Sequence, residues 1–256
     1  MDGVVTSEIE DRIGVLTLER PHKLNALTLE MIEQLREESR RLDQDPEVRV
    51  IVVRGAGERA FSVGGDLVSL LPQVLDAGWD ILNPDPSNRF FSGVYTPVVA
   101  AVRGLCLGGG LEIMLGTDVR IASDDATFGL PEVGVGLIPG SGSTVRLPRQ
   151  IGWAPAMQLM LTGEPIDATT ALRLGLVSEV VAPDDVLDRA MAVAARIAQN
   201  GPLATRTVKE AALRSLRLGD AYELEHRLNT RVIGSTDARV GVDSFRNGTP
   251  PEFTNG

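Results

Sequence analysis

GLCLGGGLEIMLGTDVRIASDDATFGLPE, residues 104–132, decides how the rest of this chain is read. It leaves an apolar run, PVVAAV (Pro97–Val102), that has the length and β-branched content of a buried strand. Three consecutive glycines, Gly108, Gly109 and Gly110, then lead into LEIML, an apolar segment with one carboxylate, Glu112. Glycines placed after a buried strand let the backbone adopt conformations closed to other residues and come close to a ligand. A helix that starts there presents N–H groups with no partner in the chain, at the positive end of its dipole. Such a place holds a developing oxyanion, and Glu112 lies within one turn of it. A second carboxylate, Glu132, follows in GLPEVGVGLIPG. Two acids and an anion site are the minimum parts for proton chemistry beside a carbonyl.

Outward from this stretch, short Val-rich runs recur. RIGVLTLE (12–19), VRVIVVRG (48–55), PVVAAVRG, DVRIASDD (118–125) and LVSEVVAPDD (176–185) read as strands. Thr28 caps a helix through MIEQLREESRRLDQD that Pro46 closes. Strands that end in charged or glycine turns and pass into helical pattern predict strand–turn–helix units, with parallel strands buried on both faces. AGERAFSVGGD reads as a glycine-rich loop, and Val68–Arg89, rich in Pro, Asp and Asn, as a variable loop with a helical turn or two, a lid or pocket wall. From Asp184 onward the pattern is helical, with amphipathic spacing that packs on the core or on another subunit. NGTPPEFTNG closes the chain as a loose end. The expected division is a core over 1–195 and a helical region over 196–256.

At 256 residues the chain holds one large domain, or a core with an appendage. Its 25 basic against 35 acidic residues give a net charge of −10, which argues against a nucleic-acid partner, since phosphate backbones need a basic face. No run approaches a membrane span, and the acidic amino terminus, MDGVVTSEIEDR, is no signal peptide. The lone Cys106 cannot form an intrachain disulfide, consistent with a reducing compartment. The expected setting is the cytoplasm.

Each candidate has a plainer reading beside the chemical one. Glu112 can simply complement the dipole of its helix, although Leu111, Ile113 and Met114 around it imply burial, and a buried acid must be paired or functional. Glu132 can cap a turn. Asp66 in FSVGGDL can be a helix cap before LVSLL. A turn at Val63-Gly64-Gly65 would supply a second backbone donor, Val63, to match Gly109. Other motifs fail. GVGLIPG misplaces the third glycine of a dinucleotide fingerprint, and no phosphate-binding Walker loop is present. Cys106 lies far in sequence from His22 and His226, Ser141 and Ser143 form no GxSxG elbow, and no cluster has metal-ligand spacing.

RPHKLNALT, AFSVGGDL, the central segment through Pro139-Gly140 and GLVSEVVAP together resemble the crotonase (enoyl-CoA hydratase/isomerase) superfamily over nearly the whole chain. The resemblance implies an α/β fold: a crotonase-like spiral of repeated ββα units with a C-terminal helical trimerisation region, giving homotrimers or hexamers. It implies an acyl-CoA thioester substrate, with coenzyme A as part of that substrate and no metal or redox cofactor. By position it assigns the oxyanion hole to the amides of Val63 and Gly109 and the catalysis to Glu112 and Glu132. Substrate and CoA contacts map to Lys23, Leu24, Ala26, Ser62, Gly64, Gly65, Asp66, Leu67, Gly108, Pro131 and Gly140. Retention of both glutamates favours hydration of an enoyl-CoA. Double-bond isomerisation, another reaction of the superfamily and non-catalytic acyl-CoA binding stay open. Two departures stand out: SGST follows the Pro-Gly step where the family has a glycine pair, and VDSFRNGTPPEF replaces a lysine-containing run that meets CoA phosphates. The phosphates are then left to Lys23 or Arg59.

Overall fold

Val50, Ile51, Val52 and Val53 are all fully buried, so this strand must be covered on both faces. The computed structural model describes residues 3–254 and shows how. The chain opens with β1 (Val4–Glu10) and β2 (Ile13–Glu19), then α1 (Leu29–Gln44), whose cap Thr28 accepts the Met31 N–H. β3 (Val50–Gly55), β4 (Ala60–Ser62) and α2 (Leu71–Ala77) follow. Next come β5 (Val98–Val102), β6 (Leu105–Leu107) and α3 (Gly109–Met114), then β7 (Val119–Ser123) and β8 (Thr127–Gly129). α4 (Ser143–Ile151), α5 (Trp153–Thr162), β9 (Ile166–Asp167), α6 (Ala168–Arg173) and β10 (Glu179–Val181) complete the sheets. Four helices finish the chain: α7 (Val186–Ala198), α8 (Pro202–Ser215), α9 (Gly219–Ile233) and α10 (Thr236–Asn247).

The strands form a six-stranded sheet, β1-β2-β3-β5-β7-β10, and a four-stranded one, β4-β6-β8-β9. β3, β5 and β7 each hand the chain to a short strand of the small sheet, β4, β6 and β8, and then to a helix or turn. This repeat is the ββα spiral expected from the resemblance. On one face of the large sheet Val50, Val52, Val99 and Ala101 meet α7, whose Ala190, Ala194 and Ala198 recur every four residues and let it lie close. On the other face Ile51, Val53 and Val98 enter the main core with Phe61 and Phe128. The alternate residues of one strand therefore serve two cores.

Several expectations change. The amino terminus, read only as an acidic end, supplies an edge strand paired antiparallel to β2. The supposed glycine-rich loop at 56–66 contains β4. The strand expected over 176–185 shortens to three residues. The 195/196 boundary falls inside α7, which packs on the large sheet and belongs with the core.

Candidate active site

β4, β6 and β8 run parallel, with Ser62 opposite Cys106 and Leu107 opposite Gly129. The chain therefore leaves all three strands at the same sheet edge. From β4 it enters Val63-Gly64-Gly65, from β6 the start of α3 with Glu112, and from β8 a 3₁₀ turn, Pro131–Val135, with Glu132. Ligands of parallel sheets gather at carboxyl-terminal strand edges for this reason. A cavity of about 230 Å³ opens there, lined by both glutamates together with Gly64, Gly65, Gly108 and Gly109. Its far wall is apolar and comes from the segment expected to form a lid or wall: Leu70, Leu71, Val74, Trp79 and Leu82.

Close approach of the backbones depends on glycine. A methyl group at Gly110 would lie 2.2 Å from the Ser62 carbonyl oxygen, so α3 can rest against β4 only without one. Gly64, at φ +90°, turns its Cα onto the amide of Gly109; a methyl there would sit 2.7 Å from the Gly109 nitrogen.

The amides can now be told apart. The Val63 N–H donates to the Leu24 carbonyl oxygen at 3.2 Å and is not available to a ligand. Gly65 forms a parallel bridge with Leu27 in which Leu27 N–H donates to the Gly64 oxygen and Asp66 N–H to the Leu27 oxygen. This pattern leaves the Gly65 N–H pointing away from Leu27, without a partner among the described residues. It lies beside Gly109, whose N–H begins α3 and has no helical acceptor. The second donor expected at Val63 is therefore displaced to Gly65.

Glu112 is 6 % exposed and accepts the Gly140 N–H at 2.6 Å. Burial, and then the negative charge of Glu225, push its carboxyl above the ordinary range; the Gly140 amide, the Ser141 hydroxyl and Arg89 oppose this in part. Glu132 is raised first by burial and then by the charge of Glu112. Its Oε2 is buried without a hydrogen-bond partner among the described residues. Both carboxyls are thus held above the ordinary carboxylate range, by burial first and by neighbouring negative charge second.

Of the remaining expected contacts, Leu67, Pro131 and Gly140 line the cavity and Lys23, Leu24, Ala26, Ser62 and Asp66 do not. Ser62 Oγ donates to the Asn25 carbonyl oxygen at 2.8 Å, which fixes the turn before α1. Asp66 caps the chain that follows by accepting the amides of Val68 and Ser69, and its Oδ2 meets Arg20 at 2.6 Å. Burial alone would raise its pKa; Arg20 and those two amides outweigh this and hold it below the usual range. Cys106 is fully buried, which pushes its thiol up and removes it as a nucleophile. Trp79, which lines the cavity, and Glu225, which holds the turn behind Glu112, escaped the sequence reading: Trp79 stood in a segment without period, and Glu225 has its partners 81 to 136 residues away.

Compared with known proteins, residues 8–256 match the family model described as Enoyl-CoA hydratase/isomerase. A protein of Mycobacterium leprae named "Probable enoyl-CoA hydratase" is 40% identical over 251 residues, 95% of each chain. The (E)-benzylidenesuccinyl-CoA hydratase of Thauera aromatica is 40% identical over 255 residues, covering 97% of this chain and 98% of that protein. Among solved structures, a carnitinyl-CoA hydratase from Mycobacterium avium aligns with a TM-score of 0.88 at 31% identity, covering 99% of both chains.

Proposed function

Because this chain belongs to the enoyl-CoA hydratase/isomerase family, we propose that its cavity adds water across the 2,3 double bond of an enoyl-CoA to give a 3-hydroxyacyl-CoA. The observation that carries this reading is the convergence on one cavity of two glutamates with raised pKa values and two open amides. The thioester oxygen accepts the N–H groups of Gly65 and Gly109. As water attacks C3, electron density moves onto that oxygen, and each fixed donor in a dry site stabilises it by about 3–4 kcal/mol. Glu112, aimed by Gly140, takes a proton from the attacking water while the hydroxyl bonds to C3. Glu132, with its unpartnered oxygen, delivers its proton to C2. The pair ends with its proton exchanged between the two carboxyls, and the next water restores it. Coenzyme A enters as part of the substrate. Lys23 is the cation proposed for its phosphates, because it is exposed and adjoins Leu24, whose carbonyl anchors the Val63 turn. The trimer implied by the resemblance would cover Leu203, Val208 and Leu224, which stand exposed on α8 and α9.

The test is a direct assay. Purified protein mixed with crotonyl-CoA and longer homologues should bleach the enoyl thioester absorbance, and no bleaching at any chain length would overturn the reading. Acyl length is set at the apolar wall. Trp79, 8 % exposed, lies with its ring edge against Gly140, so close that a methyl group there would lie 2.3 Å from the ring. Trp79→Ala opens that end. Its kcat/KM ratio for an eight-carbon over a four-carbon enoyl-CoA should rise on the order of tenfold, measured by the same absorbance.

A further inference from the structure

Gly140 N–H holds Glu112 from one side of a tight turn, and the other side of that turn is held by a residue of the C-terminal helices. Glu225 on α9 is 3 % exposed. Its Oε2 accepts the Gly142 N–H at 2.8 Å and Arg89 Nε at 3.0 Å, and its Oε1 accepts the Thr144 hydroxyl at 2.5 Å. Within the turn, Ser143 N–H and Oγ both donate to the Gly140 carbonyl oxygen at 2.8 Å. Ser141 sits at φ +44° and Gly142 at φ +96°. A serine in the left-handed region persists only where its surroundings fix it. The fixing bonds here are those of Glu225 on one flank and Glu112 on the other.

We propose that Glu225 is a positioning residue for the reaction: through the Gly140–Thr144 turn it sets where the carboxyl of Glu112 points. This rests on the hydratase reading above. Arg89 shares the role. It leaves the wall segment, stacks over the Tyr222 ring at 5.2 Å, donates to the Tyr222 carbonyl, and neutralises Glu225. The charged groups that act on Glu112 are Glu132, Glu225 and Arg89. Glu225 ranks as the strongest charge raising Glu112, ahead of the opposing Arg89.

Two changes separate the roles. Glu225→Ala removes the anchor of the turn, and kcat should fall about 10²-fold with KM little changed, as for a catalytic group displaced by about an ångström. Glu225→Gln keeps an acceptor for Gly142 and removes the charge. The limb of the pH–rate profile set by the carboxyl pair should then move to lower pH, on the order of one unit. A purely scaffolding role lowers the folded fraction and leaves the profile of the folded enzyme in place. Should Glu225→Gln fail to fold because Arg89 is stranded, Arg89→Gln with Glu225→Gln removes both charges. The limb still moves to acid, by less, because the stronger of the two effects is lost. Carboxyl ¹³C NMR titration of Glu112 reads the same shift without turnover. If wild type bleaches enoyl-CoA and both the profile and the NMR titration of the variants superimpose on wild type, this inference fails while the hydratase reading stands. If wild type is inactive, the hydratase reading fails, and the titration still decides whether Glu225 controls the proton on Glu112.

Discussion

Glu132→Gln should lower kcat for enoyl-CoA hydration by about 10²–10⁴, the contribution of a positioned proton donor, and at the same time make the protein more stable above neutral pH. The two effects have one cause. Burial and the charge of Glu112 raise the Glu132 carboxyl, and its Oε2 has no partner to offset the desolvation. A carboxyl with a folded-state pKa above its unfolded value of about 4.3 binds its proton more tightly in the native state. Between the two values the native protein holds more protons than the unfolded one, so stability falls as pH rises through that window. Below it both states are protonated and nothing is lost. Glutamine carries no titrating proton. The melting temperature of the variant should therefore match wild type near pH 4 and exceed it increasingly toward pH 8, measured by calorimetry across pH. A variant equal in stability to wild type at pH 8 would contradict the burial of an ionisable acid here. Glu112→Gln should also lose turnover under this two-acid scheme. Retention of activity there, with loss in Glu132→Gln, would point to a one-base double-bond shift and away from hydration.

Gly64→Ala should cost nearly as much while leaving both acids untouched. The added methyl projects to within 2.7 Å of the Gly109 nitrogen and 3.1 Å of the Leu107 carbonyl oxygen. It covers the Gly109 donor and forces a non-glycine residue to φ +90°, a conformation that costs of order 1–3 kcal/mol. One lost oxyanion donor lowers kcat about 10²–10³-fold. The loss should fall on turnover while the free CoA moiety still binds, since CoA itself places no charge in the hole. Stopped-flow bleaching of crotonyl-CoA, with CoA affinity measured by calorimetry, separates the two. Full activity in Gly64→Ala would show that the thioester oxygen binds elsewhere.

Sequence patterning was enough for the long strands and for the two acids, for a definite physical reason. Val50–Val53 and Val98–Val102 are buried on both faces and so read as unbroken apolar runs. Glu112 was legible because a carboxylate inside LEIML has nowhere to go but the interior. The three-residue strands β4, β6 and β8 were not legible, since three residues carry no period. β1 escaped because an edge strand with one solvated face tolerates Ser7, Glu8 and Glu10. Choosing between Val63 and Gly65 as a donor required knowing that the chain beside them presents acceptors at Leu24 and Leu27, which take the amides of Val63 and Asp66, while Ser62 Oγ takes that of Gly64. Glu225 lies beyond local reading altogether, since its meaning comes from a turn 83 residues upstream.

Gly140 packs against the Trp79 ring of the apolar wall and donates its N–H to Glu112, all within a few ångströms. Under the proposed hydration, selectivity and acid strength are thus mechanically geared through one peptide. Anyone who enlarges the chamber to admit a bulkier acyl group also loosens the peptide that grips Glu112, and must retune the working pH along with the substrate range.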